Sequence, residues 1–222
     1  MKKLADMKTI ETGGITYIEL VPYGTDEWYY GISYEHGDLY EAEEVFRAGQ
    51  DVEGRNLCLI HYPDGKVYRP LPKKQGTYTS EPVYCEGGIF ILRVNFPESL
   101  MQIIRFDCDS KEIEIIEELS LSSVKDCYNL HLDTTPLTLT RQCVGSNEFE
   151  IIWPERVRLE MGDHDSFFLR DGEKLYFSRW HEDEDGSNYY EETIVRNLQG
   201  EVTEVLPGDV RIMPNGEMWH IR

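Results

Sequence analysis
Four carboxylates, Glu27, Glu81, Asp165 and Asp209, stand at or just before short apolar runs. Two carboxyls that converge on a glycosidic bond can share its hydrolysis, one as general acid and the other as nucleophile or base, at separations of about 5.5 Å for retention or about 6.5–9.5 Å for inversion. These four are the candidate catalytic residues. Trp28, Tyr78, Tyr128, His131, His164 and Arg211 lie among them. Aromatic faces stack on the C–H surfaces of sugars, and carboxylates accept hydrogen bonds from hydroxyls. With Glu81 and Asp165, those six make up the candidate ligand-binding set. The same residue types also cap turns and fill gaps between sheets. The expected function is non-catalytic binding of a protein partner or of a small polar ligand such as a saccharide. A glycoside-active enzyme and a purely structural or interaction module are the alternatives. The chain has no G-x-S-x-G, no G-x-G-x-x-G and no P-loop, so nucleophilic and nucleotide chemistry have no motif to rest on.

A second pattern occupies residues 180–192, WHEDEDGSNYYEE. Counted from His181, acids fall at the third, fifth and twelfth places (Asp183, Asp185, Glu192) and Gly186 at the sixth. This resembles an EF-hand calcium loop, in which oxygens alternate around a tight turn. It departs from that pattern at the first place, where a histidine is a poor ligand for a hard cation, and its flanks read as strands. His164, Asp165, His181 and Asp183 form an alternative set for a transition metal, without zinc-site spacing. A solvated hairpin loop with no metal and no cofactor is the expectation; calcium or a transition metal is the alternative.

Composition narrows the partners. The chain has 222 residues with 42 acidic and 22 basic side chains, a net charge of -20. Nucleic-acid binding needs clustered Lys and Arg, and here they are scattered. No apolar run approaches the roughly 18 residues of a membrane span. Asp6, Lys8 and Glu11 interrupt the N-terminal stretch where a secretory leader would be apolar. The cysteines are five, an odd number, with no C-x-x-C, which reads as reduced thiols. A cytoplasmic protein with no nucleic-acid and no membrane partner is expected.

The elements that must position these residues are strands. Residues 81–119 read as four short apolar runs separated by turns, the form of an antiparallel meander. Matching pieces centre on Leu39, Ile89, Leu137, Leu175 and Met218, at intervals of 38 to 50 residues. Short runs precede each anchor, at 28–33, 82–85, 128–132, 167–169 and 210–213, and polar turns follow four of them, at 61–66, 107–111, 154–156 and 197–200. Turns rich in Asp, Asn and Gly accept positive φ at little cost. Five repeats of four strands resemble the small five-bladed β-propellers, and that resemblance covers nearly the whole chain. Tachylectin-like lectins and arabinanase-like glycosidases are the groups to compare. The first implies sugar sites, and the second implies carboxylates such as Glu27, Glu81, Asp165 and Asp209 at the channel mouth. The expected fold is all-β, one domain over 1–222, with blades at 27–72, 81–121, 128–162, 165–206 and 208–222 plus 3–22. In that frame 38–48 and 111–121 are strands, although both also suit a helix. An N-terminal hairpin, 4–10 and 15–21, completes the last blade and closes the ring.

Overall fold
The computed structural model describes residues 7–222 apart from Tyr23, His36, Glu184, Ser187 and 214–216. The chain forms two compact units, Met1–Leu121 and Ser122–Arg222. In the first, β1 (Glu19–Leu20), β2 (Trp28–Ile32), β3 (Leu57–His61) and β4 (Lys66–Tyr68) make an antiparallel sheet in chain order. β5 (Thr77–Thr79) and β6 (Val83–Cys85) then lie end to end along one side of β7 (Gly88–Asn95), followed by β8 (Leu100–Asp107) and β9 (Ile113–Ser120). β8 alternates buried and outward residues until a bulge between Ile103 and Ile104 lets both enter the core. The core gathers Trp28, Tyr30, Leu59, Ile89, Ile91 and Phe106 from both sheets of this unit. The outermost strand, β9, exposes Ile113 and Ile115, with Glu114, Glu117 and Glu118 between and beyond them. Acids along an edge strand discourage pairing with another chain.

The second unit repeats the meander. β10 (Leu130–Thr134), β11 (Leu137–Cys143), β12 (Glu148–Trp153) and β13 (Val157–Glu160) form one four-stranded antiparallel sheet. β14 (Asp165–Asp171), β15 (Lys174–Glu182), β16 (Tyr189–Asn197) and β17 (Val202–Pro207) form the next, and β18 (Asp209–Ile212) pairs with β19 (Met218–Ile221). Phe149, Ile151, Leu175, Phe177 and Ile194 share one core cluster. All four polar turns named above do join antiparallel strands, and residues 111–121 contain the strand β9. None of the five cysteines is in a disulfide. Among the described residues no helix is long and apolar enough to cross a membrane.

Two expectations are corrected. Residues 38–48 are not a strand: Leu39–Arg47 is a helix, α1. Asp38 caps it, accepting a hydrogen bond from the Glu41 N–H at 2.8 Å, while the Glu41 carboxylate accepts from the Asp38 N–H at 3.0 Å. Such a reciprocal cap satisfies two otherwise orphaned donors, and an N-cap contributes about 1 kcal/mol. Arg47 reaches back one turn to Glu43 at 2.7 Å, and Phe46 stacks on Phe96 at 5.4 Å. The helix wins because local capping and a buried Leu39 and Ala42 face satisfy the segment without a strand partner. The second correction concerns the closing hairpin. Residues 4–6 lie outside the described residues, but 7–18 form no strand, and Glu19–Leu20 pair with Tyr30 and Tyr29 at the edge of the first sheet. The segment therefore extends the first sheet, and the β18–β19 sheet gains no strand from it among the described residues.

Candidate functional site
The first unit brings two of the expected ligand residues, Tyr78 and Glu81, into a cluster with five more. β1 sets Glu19 directly opposite Tyr30 on β2, and the chain entering β1 carries Tyr17 on the same side. Tyr17 Oη donates to Glu19 Oε1 at 2.5 Å and Tyr30 Oη donates to Glu19 Oε2 at 2.7 Å. Just past β2, Tyr34 Oη donates to Glu81 Oε1 at 3.4 Å. Arg55, 4% exposed, lies beneath. Its Nε donates to the Ser33 carbonyl at 3.0 Å and its Nη1 to the Thr79 carbonyl at 3.2 Å. Its guanidinium carbon sits 5.3 Å from the Tyr34 ring centre and 4.6 Å from that of Tyr78. A weakly hydrated planar cation between two rings fixes both rings in orientation.

The electrostatics follow from these bonds. The phenols of Tyr17 and Tyr30 hold the Glu19 carboxyl below the usual range. The hydrogen bond to Glu19 pushes the Tyr17 phenol up; burial, then the bond to Glu19, pushes up that of Tyr30; burial, then the charge of Glu81, pushes up that of Tyr34. All three phenols therefore stay protonated at neutral pH and act as donors. Tyr17 and Tyr34 are 61% and 54% exposed, and Glu81 faces solvent beside them. The result is an open surface with two outward rings, phenolic donors, and one solvent-facing carboxylate acceptor, braced by a buried cation.

The other expected residues go elsewhere. Trp28 is buried in the first core, with Phe106 edge-on at 5.3 Å and Lys111 Nζ 4.7 Å from its ring centre. Glu27 is exposed and engages through its backbone carbonyl, which accepts from the Tyr62 N–H at 2.7 Å. In the second unit Asp165 is buried between Arg179 and Arg196, at 2.6 and 3.0 Å. Arg211 pairs with Asp209 at 2.8 Å. His131 donates from Nδ1 to the Asn129 carbonyl at 3.0 Å, and the Tyr128 N–H donates to Asp126 at 3.1 Å. Asp126 itself holds the fully buried Arg141 at 2.7 Å. His164 packs against Trp180 with ring centres 3.9 Å apart and planes tilted by 41°. His181 Nε2 lies 2.9 Å from Glu192. Asp183 opens a turn in which its carbonyl accepts from the Gly186 N–H at 2.8 Å, with Asp185 exposed inside that turn. Among the described residues no three His, Cys, Asp or Glu side chains gather as a metal site would need.

Sequence reasoning missed Tyr17, Glu19, Tyr30, Tyr34 and Arg55. Glu19 and Tyr17 depend on the short β1 pairing, and Arg55 on burial against carbonyls from two distant segments. No family model matches the chain, and no curated protein matches its sequence.

Proposed function
We propose that the protein is a non-catalytic binding module that takes a small polyhydroxylated ligand such as a saccharide on the Tyr17–Tyr34–Glu81 surface. One observation carries this reading: two exposed tyrosine rings beside an acceptor carboxylate are held in place, Tyr34 by the buried Arg55 against its ring and Tyr17 by its hydroxyl's bond to Glu19. Rings already fixed in place lose little freedom on binding, so more of the contact energy appears as affinity. The rings offer faces to C–H surfaces, Glu81 accepts from hydroxyls, and the phenols donate to or accept from others. Trp28 and Asp165 are left out because the core and two arginines already use them. Titration calorimetry against neutral mono- and oligosaccharides tests the reading. Tyr34→Ala and Glu81→Gln should each weaken binding by about tenfold or more, the scale of one hydrogen bond to a charged group, with little change in melting temperature. Saccharides that give no heat, or that bind both variants as they bind the parent, would sink it.

The finer reading of the architecture is that the antiparallel sheets are blades of a β-propeller-like array forming one domain. The recurrence of antiparallel sheets in chain order supports it. Adjacent blades share buried faces, so scanning calorimetry should then show one unfolding transition for the whole chain. Two well-separated transitions would count against it.

A further inference from the structure
The longest ladder in the chain runs past its neighbours. β15 pairs with β16 from Lys174↔Asn197 out to Glu182↔Tyr189. On one side β14 stops at Asp165↔Arg179, and on the other β17 stops at Glu192↔Pro207. The Gly208 N–H reaches further, donating to the Glu191 carbonyl at 2.8 Å, but no described strand continues the pairing there. Residues 180–182 and 189–190 thus form a two-stranded ribbon that stands beyond its sheet. A bare two-stranded ribbon is marginal in water, and polar side chains would suit it. Instead it exposes aromatics on both faces. Trp180 and Tyr189 lie on one face with Glu182 and Glu191; His181 and Tyr190 lie on the other with Glu192. Trp180, Tyr189 and Tyr190 are 40%, 59% and 48% exposed.

These rings are presented in fixed poses. Tyr189 Oη donates to Glu191 Oε1 at 2.6 Å. Tyr190 stacks flat on His181, with centres 4.4 Å apart and planes at 8°, and His181 is bonded to Glu192. Trp180 leans on His164. Residues 180–192 contain six acids and no Lys or Arg. Arg211, whose charge reaches Glu191, is already held by Asp209. Aromatic faces beside carboxylates, with no cation of their own in the segment, are complementary to a cation on an apolar stem.

We propose that this ribbon is a docking arm for a basic segment of a partner protein, whose arginine or lysine side chains lie over Trp180 and Tyr189 and meet Glu182 and Glu191. Among the described residues no strand lies beside the outer backbone edge of β15 past Arg179, so this edge can pair with an extended peptide. This surface lies in the other unit from the saccharide surface, so either proposal can fail without the other.

The test uses the full chain and a Gly-spaced tetra-arginine peptide, followed by titration calorimetry at low and at physiological salt. The peptide should bind, more weakly as salt rises. The double variant Trp180→Ala/Tyr189→Ala should weaken it at least tenfold, and Glu182→Lys should do so without touching a stacked ring. Glu114→Gln/Glu117→Gln on β9 should leave it unchanged. A Gly-spaced tetra-glutamate peptide should not bind. The proposal is overturned if the arginine peptide fails to bind at low salt. It is also overturned if the β9 variant weakens binding as much as Glu182→Lys, because binding would then follow overall charge and not the ribbon.

Discussion

Asp165→Asn should lower the unfolding free energy of the second unit by about 3–5 kcal/mol, the cost of removing one partner from a buried ion pair. The side chain is fully buried, and the hydrogen bonds to its carboxylate all come from donors. Arg179 gives two bonds, Nε to Oδ1 at 2.6 Å and Nη2 to Oδ2 at 3.1 Å. Arg196 Nη2 gives one at 3.0 Å and the Gly162 N–H another at 2.8 Å. An amide keeps the volume, loses the charge, and turns a donor group toward guanidinium donors. Arg196 is left buried with its remaining bond to the Gly200 carbonyl. The pH dependence carries the same signature. Burial pushes the Asp165 carboxyl up, but the bonds from Arg179, the Gly162 N–H and Arg196 outweigh it and hold the group below the ordinary aspartate value. A folded-state value below the unfolded one means that the contribution is present above about pH 4, the unfolded aspartate range, and is lost as pH falls through the folded value. Urea midpoints at pH 7 and near pH 3 would read it. The parent should lose the advantage it holds over Asp165→Asn as the pH falls. A variant equal to the parent at pH 7 would show that the two arginines do not depend on this carboxylate.

The same residue shows where sequence reasoning reaches and where it stops. Hairpins are legible because their chemistry is local: Gly65, Lys111 and Gly200 take φ values of 67°, 65° and 84° in the turns at 61–66, 107–111 and 197–200. The helix at Leu39–Arg47 was locally legible too, since Asp38 and Glu41 stand at capping-box spacing, but the repeat frame assigned that place to a strand. Side-chain roles depended on pairing across distance. Asp165 reads as an exposed acid before an apolar run, and only the fold brings Arg179 and Arg196 onto it from 14 and 31 residues away. Tyr78 and Glu81 were legible as polar and aromatic residues beside strands. Arg55 was not, because a cation satisfied by the Ser33 and Thr79 carbonyls and by two rings leaves no local pattern.

Trp28→Ala should be the most damaging change in the first unit, at about 3–5 kcal/mol for the lost ring and the cavity left behind. Phe106, Tyr68 and His61 surround the indole with centres at 5.3, 5.6 and 4.9 Å, and Lys111 Nζ lies over it at 4.7 Å. The strand that carries Trp28 also carries Tyr30, one of the two phenols that hold Glu19, so the core and the binding surface share one scaffold. Small domains have about 5–15 kcal/mol in total, and losing several would bring unfolding close to working temperature. Trp28→Phe keeps an aromatic in the same place and should retain most of the stability. Guanidinium midpoints for the two variants, measured beside Tyr34→Ala, separate core from surface. Trp28→Ala should move the midpoint strongly, Trp28→Phe modestly, and Tyr34→Ala hardly at all, while only Tyr34→Ala should weaken a bound saccharide at temperatures where all three remain folded. A Trp28→Ala protein with the parent's midpoint would mean that the indole is not a core residue and would return it to the ligand-facing role its place in the sequence first suggested.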